Sequence, residues 1–189
     1  RDYLKKTGRD CSLFSVSKSL SGVTAVQRER QDEVARFIAD PDAFIRNGHI
    51  YKTGGSATVA RVECQGQSWI IKRYNIKNLL HWLKRCWRPS RAWHSWQAGF
   101  LLQLEGVAVV QNLAVREERW LGLRRHAWLI SEYAGEQDLI ARFAPHVDDG
   151  QIPQADLQQL QGLFKAMIRA KISHGDLKGH NILWHNDRC

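Results

Sequence analysis

The chain has 189 residues, 43% hydrophobic and 25% charged, which suits a globular protein of one compact unit able to bury a real core. No run approaches the roughly 20 apolar residues that a bilayer-spanning helix needs, and the polar, basic first residues show no secretory signal. The net charge of +9 and pI near 9.7 imply an anionic partner, while Cys11, Cys64, Cys86 and Cys189 lack paired metal spacing and are expected as reduced thiols in a cytosolic compartment.

In chain order, Thr24 to Ala39, with Val26, Val34, Phe37 and Ile38, is expected as a helix ending before Pro41. Strands are expected near 50–53, 57–64 and 68–74. Lys52 to Val62 reads as strand, tight turn, strand, with the small residues Gly54, Gly55, Ser56 and Ala57 at the turn. Gln65-Gly66-Gln67 turns the chain into Ser68 to Tyr74, an apolar strand with Lys72 near its end. A helix runs from about Ser90 to Glu105, stopping at Gly106. Val107 to Val115 and His126 to Tyr133 read as strands joined by a charged turn from Arg116 to Arg119. After Pro145 and Pro153, Leu157, Leu160, Leu163, Phe164, Met167 and Ile168 recur at helical spacing, so 155–170 is expected as a core-facing helix.

Just after that helix comes His174-Gly175-Asp176-Leu177-Lys178-Gly179-His180-Asn181, the spacing of a kinase catalytic loop. Phosphoryl transfer needs an Asp to orient an attacking hydroxyl and an Asn five residues later to hold magnesium beside the nucleotide phosphates. Asp176 and Asn181 fill those positions, and Lys178 places a cation where the transferred group becomes most negative. A His and an Asp capping a turn would explain the first three residues alone. Three roles at their required offsets favour the loop.

The template also orders the upstream pieces. Amides of Gly54, Gly55, Ser56 and Ala57 would approach phosphate oxygens, although Gly54-Gly55 taken alone is more often an ordinary hairpin. Lys72 is the candidate phosphate-binding lysine, and Glu132-Tyr133 the candidate hinge that hydrogen-bonds adenine. The glutamate that should hold Lys72 is missing, since no acid lies between Glu63 and Glu105, and Gln97 is the neutral substitute on offer. The result is an α+β, protein-kinase-like chain: an N-terminal extension with a helix (1–49), an antiparallel-sheet N-lobe (50–134) and a partial helical C-lobe (135–189).

Between Cys64 and Leu104, Lys72, Arg73, Lys77, Lys84, Arg85, Arg88 and Arg91 are interleaved with Trp69, Trp82, Trp87, Trp93 and Trp96, with no acid. Indole rings settle at headgroup level while arginines meet phosphates, so an anionic membrane surface is one fit. A core of tryptophans beneath a solubilising basic face is the other. Nucleic acid ranks last, because no binding module accompanies the charge.

Together the Gly54-Gly55 loop, Trp69 to Tyr74, Ser90 to Trp96, Ala127 to Tyr133 and His174 to Leu183 resemble the lipopolysaccharide core kinases, the Kdo and heptose kinases. The resemblance implies ATP- and Mg2+-dependent phosphorylation of a sugar hydroxyl of the lipopolysaccharide inner core, on a saccharide-lipid at the cytoplasmic face of the inner membrane. It implies Asp176 as catalytic base, Asn181 as magnesium ligand and Lys72 as nucleotide lysine. The chain starts at Arg1 and stops at Cys189, short of the Asp-Phe-Gly-type triplet that carries a second metal-binding Asp, and Asp187 reads as a turn residue. A piece cut at both ends, itself of reduced activity, is expected. Two other readings stay open: a protein Ser/Thr or aminoglycoside-type kinase, and a non-catalytic pseudokinase or membrane-associated scaffold.

Overall fold

The computed structural model describes residues 2–76, 86–147, 150–172 and 177–185. The chain forms two compact units, one of residues 1–101 and 110–133, the other of 102–109 and 134–189.

The first unit is built on a seven-stranded sheet whose strands are all antiparallel to their neighbours. They are β1 (Phe14–Ser19), β2 (Gly22–Gln27), β3 (His49–Thr53), β4 (Ala57–Cys64), β5 (Gln67–Tyr74), β6 (Asn112–Trp120) and β7 (Leu123–Glu132), in the order β1-β2-β6-β7-β5-β4-β3. Two hairpins close with two residues at positive φ, Gln65-Gly66 (54°, 77°) and Leu121-Gly122 (48°, 82°), the turn whose twist matches that of the flanking strands. A short α1 (Asp2–Lys6) opens the chain. Helices α2 (Gln31–Ala39) and α3 (Pro41–Asn47) meet at Asp40, whose side chain accepts the Ala43 N–H at 3.0 Å and caps α3 ahead of Pro41.

Alternation along the strands divides the core in two. Trp69 and Ile71 of β5 join Val34, Phe37 and Ile45 in one cluster, with Val62, Leu113, Trp128 and Ile130. Tyr74 and Leu129 point the other way, joining Ala92, Trp96 and Phe100 of α4 (Arg91–Leu104). There Phe14, Trp96 and Phe100 stack edge-on at centroid distances of 4.7–5.8 Å, and the Trp96 indole N–H donates to the Thr7 carbonyl at 3.0 Å. Of the tryptophans in the basic stretch, Trp69 and Trp96 are therefore core, Trp93 packs beside the second cluster, and Trp87 is exposed. Trp82, Lys77, Lys84 and Arg85 lie outside the described residues. Helix α4 ends as expected at Gly106 (φ 73°), with Gly106 N–H bonded to the Gln103 carbonyl and Val107 N–H to that of Leu102.

Three local expectations are corrected. Thr24 to Gln27 belongs to β2, not to a helix, because Val26 pairs with Ala114 in the sheet and enters its core; 14–27, expected in an extension, are two strands of the sheet. Arg116 to Arg119 is not a turn. Its charges are paired within β6: Arg119 bonds the buried Glu117 at 2.7 and 2.9 Å, and Arg116 donates to the Ile38 and Ala39 carbonyls at the end of α2. Residues 107–111 precede β6 without joining it.

The second unit contains α5 (Leu139–Phe143) and α6 (Gln154–Arg169). Its anchor is an ion pair: Arg142 grips the buried Asp156 with two hydrogen bonds of 2.6 and 2.9 Å and lies over the Trp184 ring at 5.5 Å. The apolar stripe of α6 is only partly core. Met167 is buried, but Phe164 and Ile168 (75%) are exposed, because the helix is anchored through the side bearing Asp156. Among the described residues no helix is long and apolar enough to cross a membrane.

Arg142 holds the Asp156 carboxyl below the usual carboxylate range by hydrogen bonding and charge, against burial that raises it. A depressed carboxylate stabilises fully above its unfolded value and loses that contribution as pH falls through about 4 and below. Asp156→Asn is expected to be less stable at pH 7 by about 2 kcal/mol and to show a flatter acid limb, read from urea midpoints across pH. Trp96→Ala should cost about 3–5 kcal/mol in the same assay.

Candidate active site

The β3–β4 hairpin turns at 54–56. Gly54 N–H donates to the Ala57 carbonyl at 3.1 Å, so this amide closes the turn instead of facing a ligand. Among the described residues the Gly55 and Ser56 amides have no protein acceptor, and a side chain built at Gly55 would meet nothing within 4 Å. Unengaged amides under open space suit a phosphate oxygen. Ala57, buried, begins β4.

Asn75, just past β5, holds this loop. Its N–H donates to the Ser56 carbonyl at 3.2 Å, and its Nδ2 to the Gly54 carbonyl at 2.7 Å and to Thr58 Oγ1 at 3.3 Å. Asn75 Oδ1 accepts from Arg73 Nε at 2.9 Å; Arg73 pairs with Asp42 at 3.3 Å, and Asp42 accepts the Trp128 indole N–H at 2.9 Å. A continuous polar relay thus joins α3, three strands and the loop. Sequence reasoning missed Asn75; an amide side chain directly after a strand end, with two donors and an acceptor, was the available signal.

Lys72 stands on β5 opposite Val59 and Leu129, on the α4-facing side. Its Nζ lies 5.2 Å from the Tyr74 ring centroid, and among the described residues no carboxylate pairs with it. Gln97, half-buried on α4, makes no hydrogen bond to it, so the glutamate missing from the sequence has no counterpart among the described residues. At the opposite end of the sheet the hinge candidates are strapped down. Glu132 pairs with Arg30 at 2.8 Å and its N–H donates to the Gln111 carbonyl at 3.0 Å, while Arg61 lies over the Tyr133 ring at 4.5 Å.

Asp176, like His174, Gly175 and Asp187, lies outside the described residues. Lys178 and Asn181 are exposed on the 3₁₀ turn Gly179–Asn181, closed by Asn181 N–H to the Lys178 carbonyl at 2.8 Å. Behind the turn Ile182 and Trp184 are buried. The turn is zipped to the start of α5: Leu139 N–H donates to the Ile182 carbonyl (2.9 Å) and Trp184 N–H to that of Gln137 (2.7 Å). Asp138 serves both strands of the zip, accepting the Ala141 N–H at 2.8 Å as the cap of α5 and lying 2.7 Å from His180 Nδ1. A Cβ on Gly179 would come within 2.8 Å of Ile140 Cγ1, so a larger residue here would have to push the Ile140 side chain aside. Asp138 also escaped the sequence reading, since its partner lies 42 residues away. Among the described residues no three metal-binding side chains cluster; the carboxamide of Asn181 is the hard-cation donor that the loop motif assigns there.

Comparison with known families matches residues 36–188 to the lipopolysaccharide kinase (Kdo/WaaP) family. The chain belongs to that family. Among solved structures, one of WaaP in complex with acyl carrier protein is similar at a TM-score of 0.52 and 18% identity, over 76% of this chain and 56% of that one. That is a likeness of fold, and it shows the α+β, protein-kinase-like architecture. This Kdo/WaaP-family chain spans a little over half the length of that WaaP chain. The search of curated proteins finds no match.

The Ala141 N–H, followed by His180, holds the Asp138 carboxyl below the ordinary range. Asp138→Ala should unzip the turn: hydrogen exchange at the Leu139 and Trp184 amides is expected to quicken about fivefold, as for loss of a helix cap worth about 1 kcal/mol. In the unmutated protein the same protection should fade as pH falls below about 4, where Asp138 takes up its proton.

Proposed function

We propose that this protein is an ATP-dependent phosphotransferase that phosphorylates a sugar hydroxyl of the lipopolysaccharide inner core, working peripherally at the cytoplasmic face of the inner membrane. The observation that carries the reading is the pair of unengaged amides at Gly55 and Ser56, fixed by Asn75 at the end of the sheet and accompanied by a Lys72 with no carboxylate partner among the described residues. Membership of the Kdo/WaaP family gives the chemistry its acceptor class.

Each side chain then has a role set by its charge. The Gly55 and Ser56 N–H groups and the Lys72 ammonium bind the phosphates of the nucleotide, an anion for which a lysine without a competing carboxylate is well suited. Tyr133 and Glu132 would flank the adenine through their backbone; the Glu132 N–H is committed to the Gln111 carbonyl. Asp176 accepts the proton of the incoming hydroxyl and orients its oxygen for attack. Lys178 stabilises negative charge as it develops on the group in transfer. Magnesium, bound through Asn181, would neutralise the phosphates.

Asp176→Ala in a full-length protein is expected to lower transfer to truncated lipopolysaccharide by at least about a thousandfold with an unchanged melting temperature. Near-normal turnover would refute the assignment. Asn75→Ala should weaken ATP binding about tenfold, the worth of one or two hydrogen bonds, with little change in kcat. A pseudokinase is the second reading, favoured by the lack, among the described residues, of a carboxylate that would position Lys72; failure of ATP with Mg2+ to raise the melting temperature would select it.

A further inference from the structure

Three segments of the first unit meet at one end of its sheet. The β1–β2 turn lies against the β6–β7 turn, with Arg119 N–H bonded to the Ser21 carbonyl (2.8 Å) and Gly122 N–H to that of Leu20 (3.4 Å). Residues 86–89 join them: Arg124 N–H donates to the Cys86 carbonyl (2.8 Å), and Arg124 Nη1 to that of Pro89 (2.9 Å). Hydrogen bonds therefore hold this end as one surface.

Its chemistry is unusual for a surface facing water. Leu20, Trp87, Trp120 and Leu121 are 78%, 66%, 61% and 73% exposed. Scattered single apolar residues need no explanation, but four large ones on three tethered tips form a patch. Residues 18–23, 86–92 and 119–125 contain Lys18, Arg88, Arg91, Arg119, Arg124 and Arg125 and no Asp or Glu. The next acids along β6 are engaged: Glu117 is buried under Arg119, and Glu118 lies 3.4 Å from Arg116. Protruding indoles and leucines beside Lys18, Arg88 and Arg125, all exposed, match the layered chemistry of a bilayer surface, where rings sit at headgroup depth and arginines meet phosphates. A protein partner would be served by an apolar centre with fewer charges, and nucleic acid would not call for two exposed leucines at turn tips.

We infer that the end of the sheet formed by the β1–β2 turn, the β6–β7 turn and residues 86–89 docks on an anionic lipid bilayer. The inference rests on the membrane placement proposed above and supplies the surface that makes the contact. The strand register gives it a functional sense: Ala57, Tyr74 and Ala127 are cross-strand partners near this same end, so the glycine-bearing loop lies at the bilayer-facing end of the sheet.

The test is co-sedimentation of the 189-residue chain with vesicles of phosphatidylcholine alone or with about 30% phosphatidylglycerol. Binding is expected to the anionic vesicles only and to weaken with salt. Trp120→Ser with Leu121→Asn, an asparagine being tolerated at the positive φ of Leu121, should reduce affinity at least about tenfold. Arg88→Ser with Arg125→Ser should reduce it about fivefold per cation. Circular dichroism establishes folding, and the arginine pair serves if the tip variant does not fold. Equal binding to neutral vesicles, unchanged binding by both folded variants, or tighter binding of a 20-nucleotide single strand than of the vesicles would overturn the inference. Phosphoryl transfer to delipidated, soluble core saccharide, measured on the full-length protein, separates the two readings. Docking variants should keep it, whereas failure of the kinase reading would abolish it in the parent while vesicle binding persists.

Discussion

The pleat of β5 is the constraint on which the rest depends. Because side chains alternate across a strand, pairing β5 with β4 and β7 sends Trp69 and Ile71 into the core beneath α2 and α3, and leaves Lys72 and Tyr74 on the α4 side. A slip of one residue would bury the ammonium of Lys72 and expose an indole, a reversal that the hydrophobic effect penalises on both counts. Two positive-φ hairpin turns fix the register at opposite ends of neighbouring strands. Core formation and the placement of the candidate nucleotide lysine are thus one event.

The same pleat directs the charges. Arg73 faces α3 and can reach Asp42, and by way of Asn75 the pair supports the loop at 54–56. Each member of this relay is partly shielded from water, where hydrogen bonds to charged groups are stronger than at the surface. In the second unit Asp138 plays the comparable part, joining a helix start to the turn that carries Asn181. In both units a short polar side chain stiffens a loop that the core does not reach.

What the sequence revealed and what it concealed follow from the range of the forces involved. Strands β3 to β5, the end of α4 at Gly106 and the Gln65-Gly66 turn were legible because alternation and glycine act locally. The spacing of Val26 to Val34 and Phe37 mimics helical period, whereas pairing with Ala114, 88 residues away, decides its state. The charged run from Arg116 to Arg119 looked like a turn because charge usually marks solvent; Glu117 is instead buried with its own arginine, an arrangement visible only once β6 and β7 pair. Tryptophans offered a similar ambiguity, and tertiary packing sorted Trp69 and Trp96 from Trp87. Of the candidate site, the loop glycines, Lys72 and the loop that carries Lys178 and Asn181 are named from local spacing alone. Asn75 and Asp138 are not, since the contacts that tie them to the Gly54 carbonyl and to His180 span 21 and 42 residues.

The antiparallel run of β7 also gives the first unit a polarity. It leaves the Leu121-Gly122 tip at one end and reaches Glu132 at the other, ten residues that extend about 30 Å at ~3.4 Å per step. With the tip resting on lipid as proposed, the segment assigned to the adenine base would stand about that distance along β7 from the headgroups. The proposed lipid contact and the proposed adenine contact thus fall at opposite ends of one strand, so that a change at either end leaves the other's hydrogen bonds in place.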